Sequence, residues 1–175
     1  MMANTGLTKK RYARDVALRT LFGQATGGNA SETYMTDMII EDLSEQEQKL
    51  VSMDESDKAF VNELVGGVTG HVDEIDEAIS RNSPDWKLSR MSRIDLCILR
   101  LGVYELMYSD TPDRVCINEA VELAKKYGSD KAPPFVNGIL GRVYKMQNVE
   151  CRMQNGNAKR AGEQARGEAP EPKRN

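Results

Sequence analysis

The stretch that follows Ser92 restricts the fold of this chain more than any other. Ile94, Cys97, Ile98, Leu101, Val103, Tyr104, Leu106 and Tyr108 cover most of the circumference of one predicted helix. A helix apolar on most sides must be packed from several directions, so the remaining segments are expected to assemble around it. Ser92 and Asp95 stand three residues apart at its start, the spacing of a capping box, in which the orphan donors of a helix N-terminus are satisfied reciprocally.

The same periodicity identifies the neighbours. Thr8 is positioned to cap a first helix reaching about Gln24, with Tyr12, Ala13, Val16, Ala17 and Thr20 on one side; Gly27, Gly28 and Asn29 break it. A short helix over Thr33 to Asp42 directs Tyr34, Met35, Met38 and Ile39 toward a core, and a polar stretch of loop or frayed helix follows it. Ser52 and Glu55 form another capping box, ahead of Phe60, Leu64, Val68, Ile75 and Ile79. Gly66, Gly67 and Gly70 fall inside that series. Each costs about 1 kcal/mol relative to alanine in a helix interior, which implies close approach of a neighbouring helix, with a local bend as the alternative.

Asn82, Ser83 and Pro84 end the series, and Trp86 with Leu88 is expected to pin the connector to the core. After a turn at Thr111, Pro112 and Asp113, a helix from about Asn118 to Tyr127 stops at Gly128, a residue suited to a left-handed cap. Pro133 and Pro134 open a last helix to about Met146, with Phe135, Ile139, Leu140, Val143 and Tyr144 facing wholly or partly inward. No alternation of strand type and no long repeat appears, so the chain reads as all-α. Residues 1–7 are expected to be a flexible N-terminus and 8–147 a helical domain; 148–175, polar and poor in apolar residues, read as a disordered tail.

Charge is divided unevenly. Lys9, Lys10, Arg11, Arg14 and Arg19 against Asp15 give the first 20 residues a net charge of +4, and the tail carries +2; the total of −3 therefore leaves −9 on residues 21–147. A basic leading helix on an acidic body attracts a polyanion locally and a basic partner elsewhere. At 100° per residue, Lys10, Arg11 and Arg14 fall in one sector opposite Ala13, Val16 and Thr20, so these cations are expected to project away from the core. That geometry suits phosphate contact; the alternative is a solubilising first turn.

Signatures of catalysis are missing from the sequence. His71 is the single histidine, and Cys97, Cys116 and Cys151 lie at no metal-binding spacing to it or to one another, so no metal and no cofactor are expected. The three unpaired cysteines read as reduced thiols of a cytoplasmic protein, with Cys97 and Cys116 as small core residues. The glycines from Gly66 to Gly70 lie in a helical pattern whose amides are not free for phosphate, and no other nucleotide loop or nucleophile elbow occurs. Neither a signal peptide nor a membrane span is expected. The chain reads as a binding protein and not as an enzyme.

Specific runs point further. RIDLCILRLGVYEL from Arg93, INEAVELAKKYG from Ile117 and FVNGILGRVYK from Phe135 resemble the C-terminal half of the NusB transcription antitermination family. KKRYARDVALRTLFGQ from Lys9 resembles that family's basic first helix, FVNELVGGV from Phe60 its central helix, and WKLSR from Trp86 to Arg90 its connector. The resemblance runs from about Thr8 to Gln147 and implies a NusB-like fold of about seven helices in two interlocked subdomains.

By that resemblance, an adapter is expected that joins NusE, a small protein of the small ribosomal subunit, in binding single-stranded boxA-type RNA. The pair would tether the transcript of a ribosomal RNA operon to the RNA polymerase elongation complex with other Nus factors. Lys9, Lys10, Arg11 and Arg14 match the family's RNA-binding segment, although Tyr12 replaces a common arginine and either stacks on a base or packs at the core edge. Lys131 and Phe135, with Asn137 nearby, match a second RNA-facing region, where Phe135 either stacks or packs; the double proline departs from many relatives. Arg90 and Asp95 match the vicinity of the NusE contact, and Asp95 is also a capping acid. A self-associating or protein-binding helical module without RNA activity is the alternative, and homodimer formation is left open.

Overall fold

A computed structural model describes residues 5–27 and 53–167, with side chains described over 9–27 and 53–149. Its helices are α1 (Thr5–Ala25), α2 (Glu55–Gly70), α3 (Val72–Asn82), α4 (Arg93–Tyr108), α5 (Asp113–Tyr127) and α6 (Ala132–Gly167), with a 3-10 turn at Leu88–Arg90. No strand occurs among the described residues. The short helix expected over Thr33 to Asp42 lies outside them, as does the Ser52 expected as a cap.

Helix α4 is the centre, as its composition requires. It packs against all five other helices among the described residues, and Cys97, Ile98, Leu99, Leu101, Val103 and Leu106 are buried on its different faces. Around it the chain forms two interlocked groups, α1 against α2 and α4 against α5 and α6, with α3 packed on both α4 and α6. Ser92 caps α4 by accepting the Asp95 N–H at 3.1 Å. Cys97 and Cys116 are buried free thiols, and burial pushes Cys116 up to about 12.

Several boundaries differ from the sequence expectation for physical reasons. Helix α1 starts at Thr5, so Thr8 lies inside the helix and does not cap it. The box that opens α2 uses Asp54, whose carboxylate accepts from Asp57 N–H while the Asp57 carboxylate accepts from Asp54 N–H, each at 3.0 Å. Two acids do here what Ser52 and Glu55 were expected to do. Helix α5 begins at Asp113, five residues before Asn118, because the Pro112 carbonyl accepts the N–H groups of Val115 and Cys116 and Asp113 suits the positive end of the helix dipole. The expected opening of α6 at Pro133 and Pro134 holds to within a residue, whereas its backbone continues past Met146 to Gly167. The side chains from residue 150 onward and all of residues 168–175 lie outside the described residues.

The glycines act by close approach and by ending a helix. A Cβ on Gly67 would fall 2.0 Å from Tyr104 Cζ, so α2 and α4 touch where Gly67 lacks a side chain, while Gly70 faces open space where α2 ends and His71 starts α3. The single apolar series from Phe60 to Ile79 is therefore two helices. Gly128 is extended at φ −88 and not left-handed; glycine is required because a Cβ would meet Ala132 Cβ at 2.4 Å and the Ala124 carbonyl oxygen at 2.8 Å.

Gly67→Ala should lower stability by about 1–3 kcal/mol through overpacking against Tyr104. Gly70→Ala, with nothing within 4 Å of the new methyl group, should not lower it. Urea unfolding of the two variants beside the parent protein checks both.

Candidate nucleic-acid interface

Helix α1 carries the cations expected to face solvent, and the structure divides them. Lys10 is exposed, with Nζ 5.4 Å from the centre of the Phe60 ring. Arg11 is half-exposed and grips Glu119 of α5 through two hydrogen bonds, Nε to Oε2 at 2.9 Å and Nη2 to Oε1 at 2.8 Å, which hold its guanidinium above its ordinary pKa. Lys9 bridges to Asp54 and Asp57 at 3.3 and 3.4 Å, tying α1 to the cap of α2, and its hydrogen bond to Asp54 raises its pKa. Arg14 does not project outward. It is 1% exposed, and its Nε and Nη2 donate to Glu105 of α4 at 3.0 and 2.7 Å.

The reason lies in Glu105, a carboxylate 2% exposed inside the most apolar helix of the chain. Such a group must be paired, and Arg14 is its partner. A helical-wheel argument that sends charges outward cannot register a partner 91 residues away. Glu105 itself, standing between Tyr104 and Leu106, was the available signal. Tyr12, partly buried and packed on the core, takes the core-edge position.

Helix α5 adds cations that the sequence reading did not single out. Lys126 Nζ donates to the buried Asp15 of α1 at 2.9 Å, and Arg19 and the Tyr127 hydroxyl reach the same carboxylate at 2.9 and 2.8 Å. Lys125 pairs with Glu122 beside it. A groove of about 280 Å³ runs along this seam, lined by Arg11, Tyr12, Glu119, Leu123 and Lys126. A second hollow of about 520 Å³ follows it, lined by Leu18, Phe22, Ser92, Arg93, Ile94 and Tyr127, with Phe22 exposed at its rim.

Beyond Ser92 the structure brings together residues that the sequence left on separate surfaces. Arg90, Asp95, Lys131 and Phe135 line one cleft of about 240 Å³ with Trp86 and Ser92. Phe135 is half-buried, packed against the core and partly open to solvent. Trp86 does not pin the connector inward. It is 54% exposed and meets Phe135 edge-on, with ring centres 5.8 Å apart and planes at 69°. Its backbone is fixed by donation to the Ser83 carbonyl at 3.0 Å, while Leu88 supplies the expected apolar anchor. Asn137, two residues further along α6, is exposed. Asp95 Oδ1 is shielded from solvent and accepts no hydrogen bond among the described residues.

An all-helical domain built on a central apolar helix, with a partly neutralised basic seam and an aromatic cleft, defines the class. The NusB family profile matches residues 11–145, and the chain belongs to the NusB family. It is 39% identical over 137 residues to the transcription antitermination protein NusB of Clostridium novyi, covering 78% of this chain and 98% of that one. The protein of the same name from Citrifermentans bemidjiense is 41% identical over 138 residues, at 78% and 94% coverage. Among solved structures, T. maritima NusB aligns with a TM-score of 0.67 at 32% identity over 78% of this chain and 90% of that one. A chain from the crystal structure of antitermination factors NusB and NusE in complex with dsRNA aligns with a TM-score of 0.67 at 26% identity, over 83% and 99%. No helix among the described residues is long and apolar enough to cross a membrane.

Arg14→Met should cost about 3–5 kcal/mol, because it leaves Glu105 buried without a partner. Adding Glu105→Leu should recover most of that loss. Denaturant unfolding of the single and double variants tests this, and a single variant as stable as the parent would contradict the assignment.

Proposed function

We propose that this protein is an RNA-binding antitermination adapter that acts with NusE on boxA-type single-stranded RNA in ribosomal RNA operon transcripts. In this reading it joins the RNA polymerase elongation complex in the cytoplasm and supports ribosomal RNA transcription and ribosome assembly by binding alone. The observation that carries the proposal is the convergence of Arg90, Asp95, Lys131 and Phe135 with Trp86 in one cleft. Two cations flank an aromatic pair there, Trp86 exposed and Phe135 half-buried, the combination that grips a phosphate backbone and stacks splayed bases. An exposed indole suits unpaired bases better than a closed duplex, whose bases are already stacked.

Lys10 and the outer part of Arg11 extend the contact to the leading helix, with Lys9 reaching RNA only by exchanging Asp54 and Asp57 for phosphate. Arg14 belongs to the framework that orients them. The apolar hollow around Phe22 and Ile94 shares Ser92 with the aromatic cleft, which supports a NusE-type partner docking beside the RNA and enlarging its surface near Arg90. A basic ribosomal partner also complements the acidic body of the chain.

Lys10→Ala with Arg11→Ala should weaken binding of boxA-type RNA at least tenfold and flatten the dependence of log affinity on log salt by about 1.4, roughly 0.7 for each phosphate no longer neutralised. Fluorescence anisotropy over a salt series, with and without NusE, measures both. Unchanged affinity and slope in a folded double variant would favour the protein-binding module without RNA activity.

A further inference from the structure

We infer that the surface where α2 meets α3, beside the last turn of α4, receives an arginine side chain from a basic segment of a second protein, packed against Tyr108 and His71 and paired with Glu74 and Glu63. The inference goes beyond the RNA and NusE-type contacts above and uses none of their residues. Tyr108 ends α4, whereas Ile94 of the apolar hollow lies in its first turn, roughly 21 Å away at 1.5 Å per residue. A partner at this end therefore leaves the RNA-facing surfaces clear.

Aromatic packing builds the floor. Tyr104 lies over Gly67, where α2 has no side chain, and this contact fixes the first ring. Tyr108 stacks on Tyr104 with ring centres 5.6 Å apart and planes at 29°, and His71 meets Tyr108 at 4.2 Å and 34°. Tyr104 is buried, but Tyr108, one turn further on, is 38% exposed, so the core does not use all of its area. His71 Nδ1 lies 2.9 Å from the Gly67 carbonyl oxygen, which can only accept. The proton therefore sits on Nδ1, and the neutral ring keeps Nε2 as an acceptor.

Charge then names the occupant. Glu74 accepts the Tyr108 hydroxyl through Oε2, and burial, followed by the Glu63 carboxylate one turn before Gly67, raises the Tyr104 phenol above its usual range. Glu63 and Glu74 are exposed, and neither forms an ion pair among the described residues. Their neighbours do: Glu55 is paired with Lys58 on α2, Glu77 with Arg81 on α3, and Asp76 of α3 with Arg100 of α4. Two unneutralised carboxylates beside an exposed aromatic ring repel an RNA strand and attract a cation. The mixed lining selects arginine over lysine. A planar guanidinium stacks on a ring while its N–H fork donates to carboxylate and imidazole acceptors, which a compact ammonium does less well.

The chain has one histidine and one tryptophan, so the NMR signals of the His71 ring and the Trp86 indole separate this surface from the aromatic cleft. The probe is a labelled glycine–serine peptide carrying three arginines, compared with lysine and citrulline versions; citrulline keeps the shape and lacks the charge. With the full chain, the arginine peptide should shift the His71 signal and leave Trp86 unmoved. By anisotropy it should bind about fivefold more tightly than the lysine peptide and at least about tenfold more tightly than the citrulline peptide. Tyr108→Ala and Glu74→Gln should each weaken it about fivefold, whereas Glu77→Gln, at a carboxylate already paired with Arg81, should change it by less than about twofold. Circular dichroism establishes that each variant is folded.

Binding that leaves His71 unmoved, that is equal for arginine and lysine or citrulline peptides, or that survives either Tyr108→Ala or Glu74→Gln unchanged would overturn the inference and leave the adapter reading standing. A shift of the His71 signal by boxA-type RNA would assign the surface to RNA and overturn it as well.

Discussion

The buried ion pair between Arg14 and Glu105 sets the geometry on which the rest of the surface depends. It joins the leading helix to the central one through contacts of 2.7 to 3.0 Å in a setting nearly closed to water. Removing two such charges from solvent costs several kcal/mol per ion, a penalty offset only by good geometry and full hydrogen bonding. The pair therefore acts less as a source of net stability than as a constraint on orientation. With Arg14 directed at α4 and Arg11 gripping Glu119 of α5, helix α1 has one permitted rotation about its axis. That rotation leaves Lys10 outside and lays Phe60 of α2 beneath both Lys10 and Arg14, each cation 5.4 Å from its ring centre.

The same economy of charge runs along the α1–α5 seam. Asp15 is buried and collects Arg19, Lys126 and the Tyr127 hydroxyl, so the basic helix is neutralised from within over much of its length. Burial and the Asp15 carboxylate hold the Tyr127 phenol above its usual range. An incoming polyanion consequently meets few unengaged cations on α1 and must exchange partners with carboxylates to gain more. The aromatic cleft is different in kind: Trp86 offers stacking area without first breaking an ion pair. Under this account phosphate contact guides the strand, and the cleft holds it.

What the sequence disclosed follows from which interactions are local. The central helix was legible because its apolar positions exceed what one face can hold, and the Ser92 cap and the proline-led start of α6 depend on neighbours within a few residues. Arg14 was misjudged because its position depends on Glu105 across the fold, and periodicity carries no information about distant pairs. Trp86 was expected inside on its apolar character alone, yet Leu88 fills that role and leaves the indole at the surface. The cleft could not be foreseen, since Arg90 and Asp95 lie some 40 residues before Lys131 and Phe135, and only the packing of α6 beside the connector brings the two pairs together.

The central claim is that a single strand of RNA is held by the aromatic cleft and guided by the exposed cations of α1. Ultraviolet crosslinking of the intact protein to boxA-type RNA in the presence of NusE, followed by mass spectrometry of the crosslinked peptides, tests it most directly. The account predicts crosslinks at Trp86 or Phe135 and in the segment around Lys10 and Arg11. Crosslinks gathered instead around His71 and Tyr108, where α2 meets α3 beside the far end of α4, would contradict it.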